Sequence, residues 1–213
     1  MLGAEITDEA AAVVPGGTAA PQRVPAAIFD AAARAYASGA RLDMQSLARQ
    51  LGVARATLYR RAGNREELLD EVLWWRARRL LAGQVVATAE LMGVARITAV
   101  IAGVLAAIER DRPLRTFLET DPEAALRILT GTRSTTQRGM AAALENLIEL
   151  ERGRGAFAAD LDTPTLAYAI LRLCEAFLYA DVIADRDRDI GRAVTVIRAL
   201  LAGLDRTPAK LTV

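Results

Sequence analysis

Apolar residues recur every three to four positions along most of the chain, which is the spacing of one face of an α-helix. The first such run includes Ile28, Phe29 and Tyr36. Pro25 suits the first turn of a helix, and Gly39 suits the position just after its end. The pattern therefore predicts a first helix between Pro25 and Gly39.

Two shorter helices are predicted next. Asp43 can accept a hydrogen bond from the first amides of a second helix, which carries Leu47 and ends at Gly52. A third helix is predicted over 54–61, before Gly63 and Asn64 break the pattern. Two short helices joined by a tight Gly-Val connection are typical of a helix-turn-helix, whose second helix enters the major groove of B-DNA.

The remainder of the chain predicts further helices, with neither an alternating strand pattern nor an internal repeat. Prolines, glycines and charged pairs divide it, and the predicted helices cover 65–88, 94–110, 113–120, 122–130, 133–152, 163–184 and 189–204. Residues 1–21 hold prolines and glycines among small residues and predict a flexible arm. The predicted fold class is all-α, with a three-helix helix-turn-helix domain before a larger helical domain.

The distribution of charge distinguishes one basic segment in a chain that is nearly neutral overall. The chain carries 27 Lys and Arg against 26 Asp and Glu, a formal charge of +1. Residues 1–20 sum to −3 and residues 81–213 to −1, whereas residues 21–80 sum to +5. The basic segment coincides with the predicted helix-turn-helix, and neutralisation of phosphates supplies much of the affinity of proteins for DNA.

Composition argues against most enzyme classes. The chain has no histidine, its one cysteine is Cys174, and it lacks a glycine-rich phosphate loop. We therefore expect no metal site, no cofactor and no catalytic activity. No long uncharged apolar run occurs, and the acidic N-terminus lacks the basic region of a signal peptide, so we expect a cytoplasmic protein.

The third predicted helix presents an unusual set of polar residues. If Leu58 packs inward, the outward side chains are those of Arg55, Thr57, Tyr59, Arg60 and Arg61. Hydroxyls can donate to phosphate oxygens, and arginine can bind phosphate or the O6 and N7 atoms of guanine. The alternative is an ordinary helical hairpin with a solvated arginine face.

The segment LDMQSLARQLGVARATLYRRAGNREELLDEVL at 42–73 resembles the N-terminal DNA-binding domain of the TetR family of bacterial transcriptional regulators. The family pattern is Thr-Leu-Tyr, then a basic residue and Glu-Leu-Leu, here at Thr57, Leu58, Tyr59, Arg65, Glu67, Leu68 and Leu69. Ala54 departs from it, because the family often has a capping Ser there, and Ala62 stands where the family has an aromatic residue.

The resemblance implies a role for each matched position. Gln45 would lie near the DNA backbone at the start of the supporting helix, and Arg65 would grip the backbone from the next helix. Arg55 and Ala56 would open the recognition helix, and its two hydroxyl-bearing residues would bind phosphates. The candidate DNA-binding residues are Gln45, Arg55, Ala56, Thr57, Tyr59, Arg60, Arg61 and Arg65.

The resemblance also implies the organisation of the whole chain. Residues 22–64 would be the DNA-binding domain, and 65–213 would bind an effector and form a homodimer. Residues 165–181 are apolar nearly all round and must be covered on more than one side. In the family the last two long helices pack against their mates, so 163–184 and 189–204 would form the dimer and set two recognition helices for a palindromic operator.

The effector pocket needs apolar walls and a few polar groups. The candidates are Trp75, Phe117, Arg127, Met140, Tyr168, Arg172, Glu175 and Phe177. For the aromatic residues and Met140 the alternative is core packing. For Arg172 and Glu175, three positions apart on one helix, the alternative is a structural ion pair.

The segments at 116–130 and 171–184 are similar to the subgroup of TetR-like regulators named for quorum-signal degradation. This similarity implies a largely apolar effector such as a lactone signal. The sequence therefore predicts a ligand-responsive regulator, a repressor released from DNA by its effector. The alternative is a helical adaptor that binds protein partners and has no sequence-specific DNA binding.

Overall fold

The structure of the protein, a computed structural model, describes residues 8–21, 23–184 and 186–207. Every regular element in these ranges is a helix, so the all-α prediction is confirmed. The helices are α1 Asp8–Val13, α2 Ala26–Ala37, α3 Met44–Gln50, α4 Arg55–Ala62, α5 Arg65–Ala87, α6 Gly93–Glu109, α7 Arg112–Thr120, α8 Pro122–Thr130, α9 Thr135–Gly153, α10 Thr163–Leu178, α11 Ala180–Ile183 and α12 Ile190–Leu204.

Two parts of the chain differ from the predicted elements. The predicted helix over 163–184 is interrupted at Tyr179, which separates α10 from α11. The flexible arm is wrong for residues 8–13, because α1 forms there and buries Ala10 and Val13. The arm's first seven residues lie outside the described part of the chain.

The described residues form two compact units. The helix-turn-helix unit comprises 16–79 and 110–139, and the bundle unit comprises the described residues up to 15, 80–109 and from 140 onward. Helices α5 and α9 each continue from one unit into the other. The unit boundaries therefore differ from the predicted domain boundary at residues 64 and 65, because α7 and α8 belong with the helix-turn-helix.

The helix-turn-helix is held by a small apolar core. Phe29 of α2, Leu47 of α3 and Leu58 of α4 are buried. The Asp43 carboxylate accepts a hydrogen bond from the Ser46 amide at 2.7 Å, which lowers the pKa of Asp43 and confirms it as the cap of α3. The apolar core and this cap position α4, and leave its other face open.

The core of the bundle unit lies among α6, α10 and α12. Ile97, Ile170, Ile197 and Leu201 are fully buried there. The guanidinium of Arg96 on α6 is also fully buried, which requires compensating acidic partners. The bundle unit therefore contains an internal ionic cluster in addition to its apolar core.

Candidate functional site

Helix α4 presents most of the predicted recognition residues outward. Arg55, Ala56, Arg60 and Arg61 are exposed, and Tyr59 is 36% exposed. Thr57 is half-buried, and Gln45 is exposed in the first turn of α3. The N-cap residue Ala54 makes no side-chain cap, as its sequence departure implied. Six of the eight candidate residues thus lie on α4, five of them exposed, and Gln45 lies at the start of α3.

Tyr59 and Arg55 form a pair on this face. The Nη2 atom of Arg55 donates to the Tyr59 hydroxyl at 3.3 Å, and its guanidinium carbon lies 5.4 Å from the ring centroid. The hydrogen bond to Tyr59 raises the pKa of Arg55, so the guanidinium remains charged. Because the hydroxyl accepts from Arg55, its own hydrogen is available for donation to an anionic oxygen.

The connection from α4 to α5 is tightly defined. Gly63 adopts φ +71°, a region that favours glycine. The Asn64 amide donates to the Glu67 carboxylate at 2.9 Å, and the Glu67 amide donates to the Asn64 side-chain oxygen at 2.9 Å. This reciprocal capping fixes the start of α5 relative to the end of α4.

Arg65 has structural partners inside the helix-turn-helix unit. Its Nε donates to the Leu42 carbonyl at 2.9 Å, and its Nη1 donates to the Asp121 carboxylate at 2.7 Å. The guanidinium also lies 5.9 Å from the centroid of the Phe117 ring. Arg65 therefore ties the start of α5 to the α7–α8 junction, and a contact with DNA would compete with these interactions.

The bundle unit contains a cavity of about 80 Å³. Its walls come from five helices and are mainly apolar, with Val13 of α1, Leu81 of α5, Ile101 of α6 and Met140 of α9 among them. Helix α10 supplies the polar side chain of Glu175. An apolar chamber with a single carboxyl group suits a small organic ligand with one polar function.

The Glu175 carboxyl group is the main electrostatic feature of the cavity. It is 7% exposed, and burial raises its pKa to about 7, although Arg172 donates to it at 2.8 Å. Burial also raises the pKa of the neighbouring Cys174 thiol to about 12 and raises that of the Tyr179 hydroxyl. Near neutral pH, Glu175 therefore exchanges between an acid that donates and a carboxylate that only accepts.

Some of the predicted pocket residues meet at this cavity. Met140 and Glu175 line it, and Arg172 joins them through its ion pair with Glu175. Tyr168 is 61% exposed beneath the Arg172 guanidinium, and Phe177 is half-buried outside the lining. Tyr168 does not line the cavity because the helical register of α10 places it on the outer face of that helix.

Three predicted pocket residues belong to the helix-turn-helix unit and do not line the cavity. Trp75 packs edge-on against Phe29 with ring centroids 5.5 Å apart. Phe117 is buried in its own unit, and the exposed Arg127 on α8 pairs with Glu66 at 2.8 Å. The sequence alone could not distinguish these three positions from the wall of a pocket, because each of these residue types occurs both in pocket walls and elsewhere in a fold.

Most of the cavity walls that sequence reasoning missed are aliphatic. They include Val13, Leu81 and several residues on one face of α6, such as Ile101. Their helical spacing signalled burial, but burial in a core and burial around a cavity give the same pattern. For Val13 the helical spacing of apolar residues was also too short to recognise, because α1 has only six residues.

The described ranges of the chain contain neither a candidate metal site nor a membrane-spanning helix. No group of three or more cysteine and carboxylate residues could hold a metal ion. No helix in those ranges is long and apolar enough to cross a membrane.

Both parts of the chain match known family models. Residues 28–72 match the model of the bacterial regulatory proteins of the tetR family. Residues 92–202, about half of the chain, match the tetracyclin repressor-like C-terminal domain. The chain belongs to the TetR family. It is therefore a transcriptional regulator, with α4 in the first matched segment and α6, α9 and α10 in the second.

One solved structure supports this TetR assignment, and two more distant ones share the fold. The R. erythropolis transcriptional repressor QsdR is 30% identical, with a TM-score of 0.72 over 84% of this chain and 94% of that one. The fatty acid degradation regulator FadR from Bacillus halodurans is 20% identical, with a TM-score of 0.54 over 83% and 93%. FadR from Bacillus subtilis, solved with stearoyl-CoA, is 18% identical, with a TM-score of 0.54 over 82% and 96%. No curated protein matches the chain significantly.

Proposed function

We propose that the protein is a repressor that binds a palindromic operator as a homodimer and is released by a small, largely apolar effector. The observation that carries the proposal is the exposed face of α4, where three arginines and Tyr59 stand together in a TetR-family helix-turn-helix. A mainly apolar cavity that contains the Glu175 carboxyl group supports the proposed binding of an effector.

In the proposed complex, Tyr59 and Thr57 donate to phosphate oxygens, and Arg55, Arg60 and Arg61 bind phosphates or guanine edges. Ala56 allows close approach of α4 to the groove, and Gln45 contacts the backbone. The phosphate role predicted for Arg65 requires its guanidinium to reach DNA while it is paired with Asp121. We therefore expect Arg65 to act mainly by positioning α5.

The outer faces of α10 and α12 support the proposed homodimer. Tyr168 on α10 and Val196 on α12 are large exposed apolar residues, and Ala176, Ala199 and Ala202 are exposed on the same two helices. Small residues allow helices to approach closely, and aromatic residues are enriched at interfaces. In a two-fold dimer these faces meet their own copies. Val196→Glu should shift the molar mass measured by light scattering from dimer to monomer.

The similarity of 116–130 and 171–184 to the regulators named for quorum-signal degradation, together with the mainly apolar lining of the cavity, supports a lactone as the effector. A protonated Glu175 can donate to a carbonyl oxygen, while the aliphatic walls accept an acyl chain. The effector lowers operator affinity by the ratio of its affinities for the released and DNA-bound conformations.

The test is a fluorescence-polarisation titration of the protein with DNA from its own upstream region, beside a scrambled duplex and across a salt series. Tyr59→Phe should weaken operator binding about tenfold, or 1.4 kcal/mol. Arg60→Ala should make the slope of log affinity against log salt shallower by about 0.9, the value for one phosphate contact.

Arg110→Ala is the matched control, because Arg110 is an exposed arginine outside α4. It should leave both affinity and salt slope unchanged. Equal, weak binding of the wild type to both duplexes, when genomic fragments also show no selection, would refute the repressor and favour the adaptor.

A further inference from the structure

Helix α1 is a wall of the cavity although it lies outside both segments that match the family. Val13 lines the cavity and is 1% exposed, and Ala10 and Val14 are equally buried in the bundle unit. The matched segments begin at residues 28 and 92. Part of the cavity wall thus comes from a segment that precedes both matched segments.

Polar contacts attach α1 near both of its ends. At the first end, the Glu9 carboxylate pairs with Arg96 at 2.7 Å and also with Arg154. At the other end, the Val13 carbonyl accepts from the Asn146 side-chain amide at 3.1 Å. These contacts hold α1 against the longer helices of the bundle unit.

The helix is too short to be stable without these attachments. It has six residues, whereas isolated helices shorter than about 12 residues are marginal in water. The other walls belong to helices of 15 residues or more: α5, α6, α9 and α10. Elements with few contacts open locally at lower free energy than the rest of a fold, so α1 is the wall that moves most easily.

The size of the cavity requires some wall to move. Its volume of about 80 Å³ is well below the roughly 300–1,000 Å³ of typical small-molecule sites. Dense packing of the long helices resists expansion. Outward movement of α1 removes the Val13 side chain from the chamber and widens its opening to solvent.

We propose that α1 is the gate of the effector cavity, with Glu9 as its latch, and that an apolar ligand enters by displacing α1. This inference rests on the proposed function, in which the cavity is the effector site. Gly16 and Gly17, with φ +76° and +60°, follow α1 after Val14 and Pro15 and suit a segment that changes direction there.

Glu9→Gln is the variant that tests the latch. It removes the charge that pairs with Arg96, while Arg96 keeps Glu151 as a partner at 3.1 Å, so the ionic cluster is retained. Asp8→Asn is the matched control, because Asp8 is an exposed acid on the same helix. Asn146→Ala is a second test that releases the other end of α1.

The experiment uses the full chain and Nile red, a neutral apolar probe whose fluorescence rises in a dry site. In stopped-flow mixing, Glu9→Gln and Asn146→Ala should each raise the association rate about tenfold, because the rate follows the population of the open state. Asp8→Asn should match the wild type. Hydrogen exchange in a peptide covering 8–14 should become faster in the two release variants.

Met140→Trp separates failure of the gate from failure of the effector site. It fills the cavity from α9 and should abolish Nile red binding. If it does so while both release variants bind at the wild-type rate, the gate is refuted and the cavity assignment survives. If Nile red binds neither the wild type nor any variant, or if it binds Met140→Trp as tightly as it binds the wild type, the cavity is not the effector site. The gate is then refuted as well.

Discussion

Replacing Glu175 by Gln tests whether the cavity favours a protonated acid. Burial raises the pKa of Glu175 from 4.5 to about 7, in spite of the Arg172 guanidinium 2.8 Å away. Because the folded pKa lies above the unfolded one, the stability contributed by the protonated acid is fully present below about pH 4.5. It is lost as pH rises through about 7, and the shift corresponds to a loss of about 3 kcal/mol at most.

The assay is urea unfolding of the wild type and Glu175→Gln at several values between about pH 5 and about pH 8.5. Glutamine keeps the shape and stays neutral, so the variant should gain stability relative to wild type as pH rises. The nearby Cys174 and Tyr179 have raised pKa values and do not titrate in this window. Exposed Glu119→Gln serves as the control and should run parallel to the wild type. Parallel curves for Glu175→Gln as well would refute the protonated acid.

Three further substitutions test the packing by urea or thermal unfolding. Arg96→Met removes the buried ion-pair partner of the fully buried Glu151, which keeps the partly buried Arg154 as a cationic partner at 3.2 Å, and should destabilise by about 3–5 kcal/mol, with much of the loss recovered in Arg96→Met/Glu151→Gln. Gly93→Ala should destabilise by about 1–3 kcal/mol, because Gly93 has φ +58° and an added Cβ would overlap the Ala156 carbonyl. Asp70→Ala leaves buried amides at the start of α9 unpaired and should cost about 2 kcal/mol; a loss near zero would contradict the capping role.

The helices were predictable where the chain carries local signals. Asp43 and Gly52 bound α3 as expected, since a cap and a left-handed glycine act through neighbouring residues alone. The break at Tyr179 has no such signal. The apolar pattern continues through it, and the interruption at Tyr179, which is buried in the folded unit, depends on tertiary packing.

The two candidate sites were predictable to different degrees. The outward-facing residues of α4 follow from helical spacing once Leu58 is taken to be buried. The sequence of about one helical turn is therefore enough to predict that face. The cavity depends on which helices meet. Trp75 and Phe117 were expected to line it and instead pack in the helix-turn-helix unit, whereas Val13 comes from a segment expected to be flexible. The spacing of apolar residues within one helix does not indicate which other helices will pack against it.

The distribution of acids explains how a nearly neutral chain can present a basic surface. Among the arginines of residues 21–80, Arg23, Arg65 and Arg76 have carboxylate partners within the helix-turn-helix unit. Within the described ranges, Arg60 and Arg61 on α4 have no carboxylate within ion-pair distance. Since phosphate binding needs cations that are not already neutralised by the fold, these arginines are better suited to it than Arg65. The salt dependence of operator binding should therefore depend on α4 more than on the start of α5.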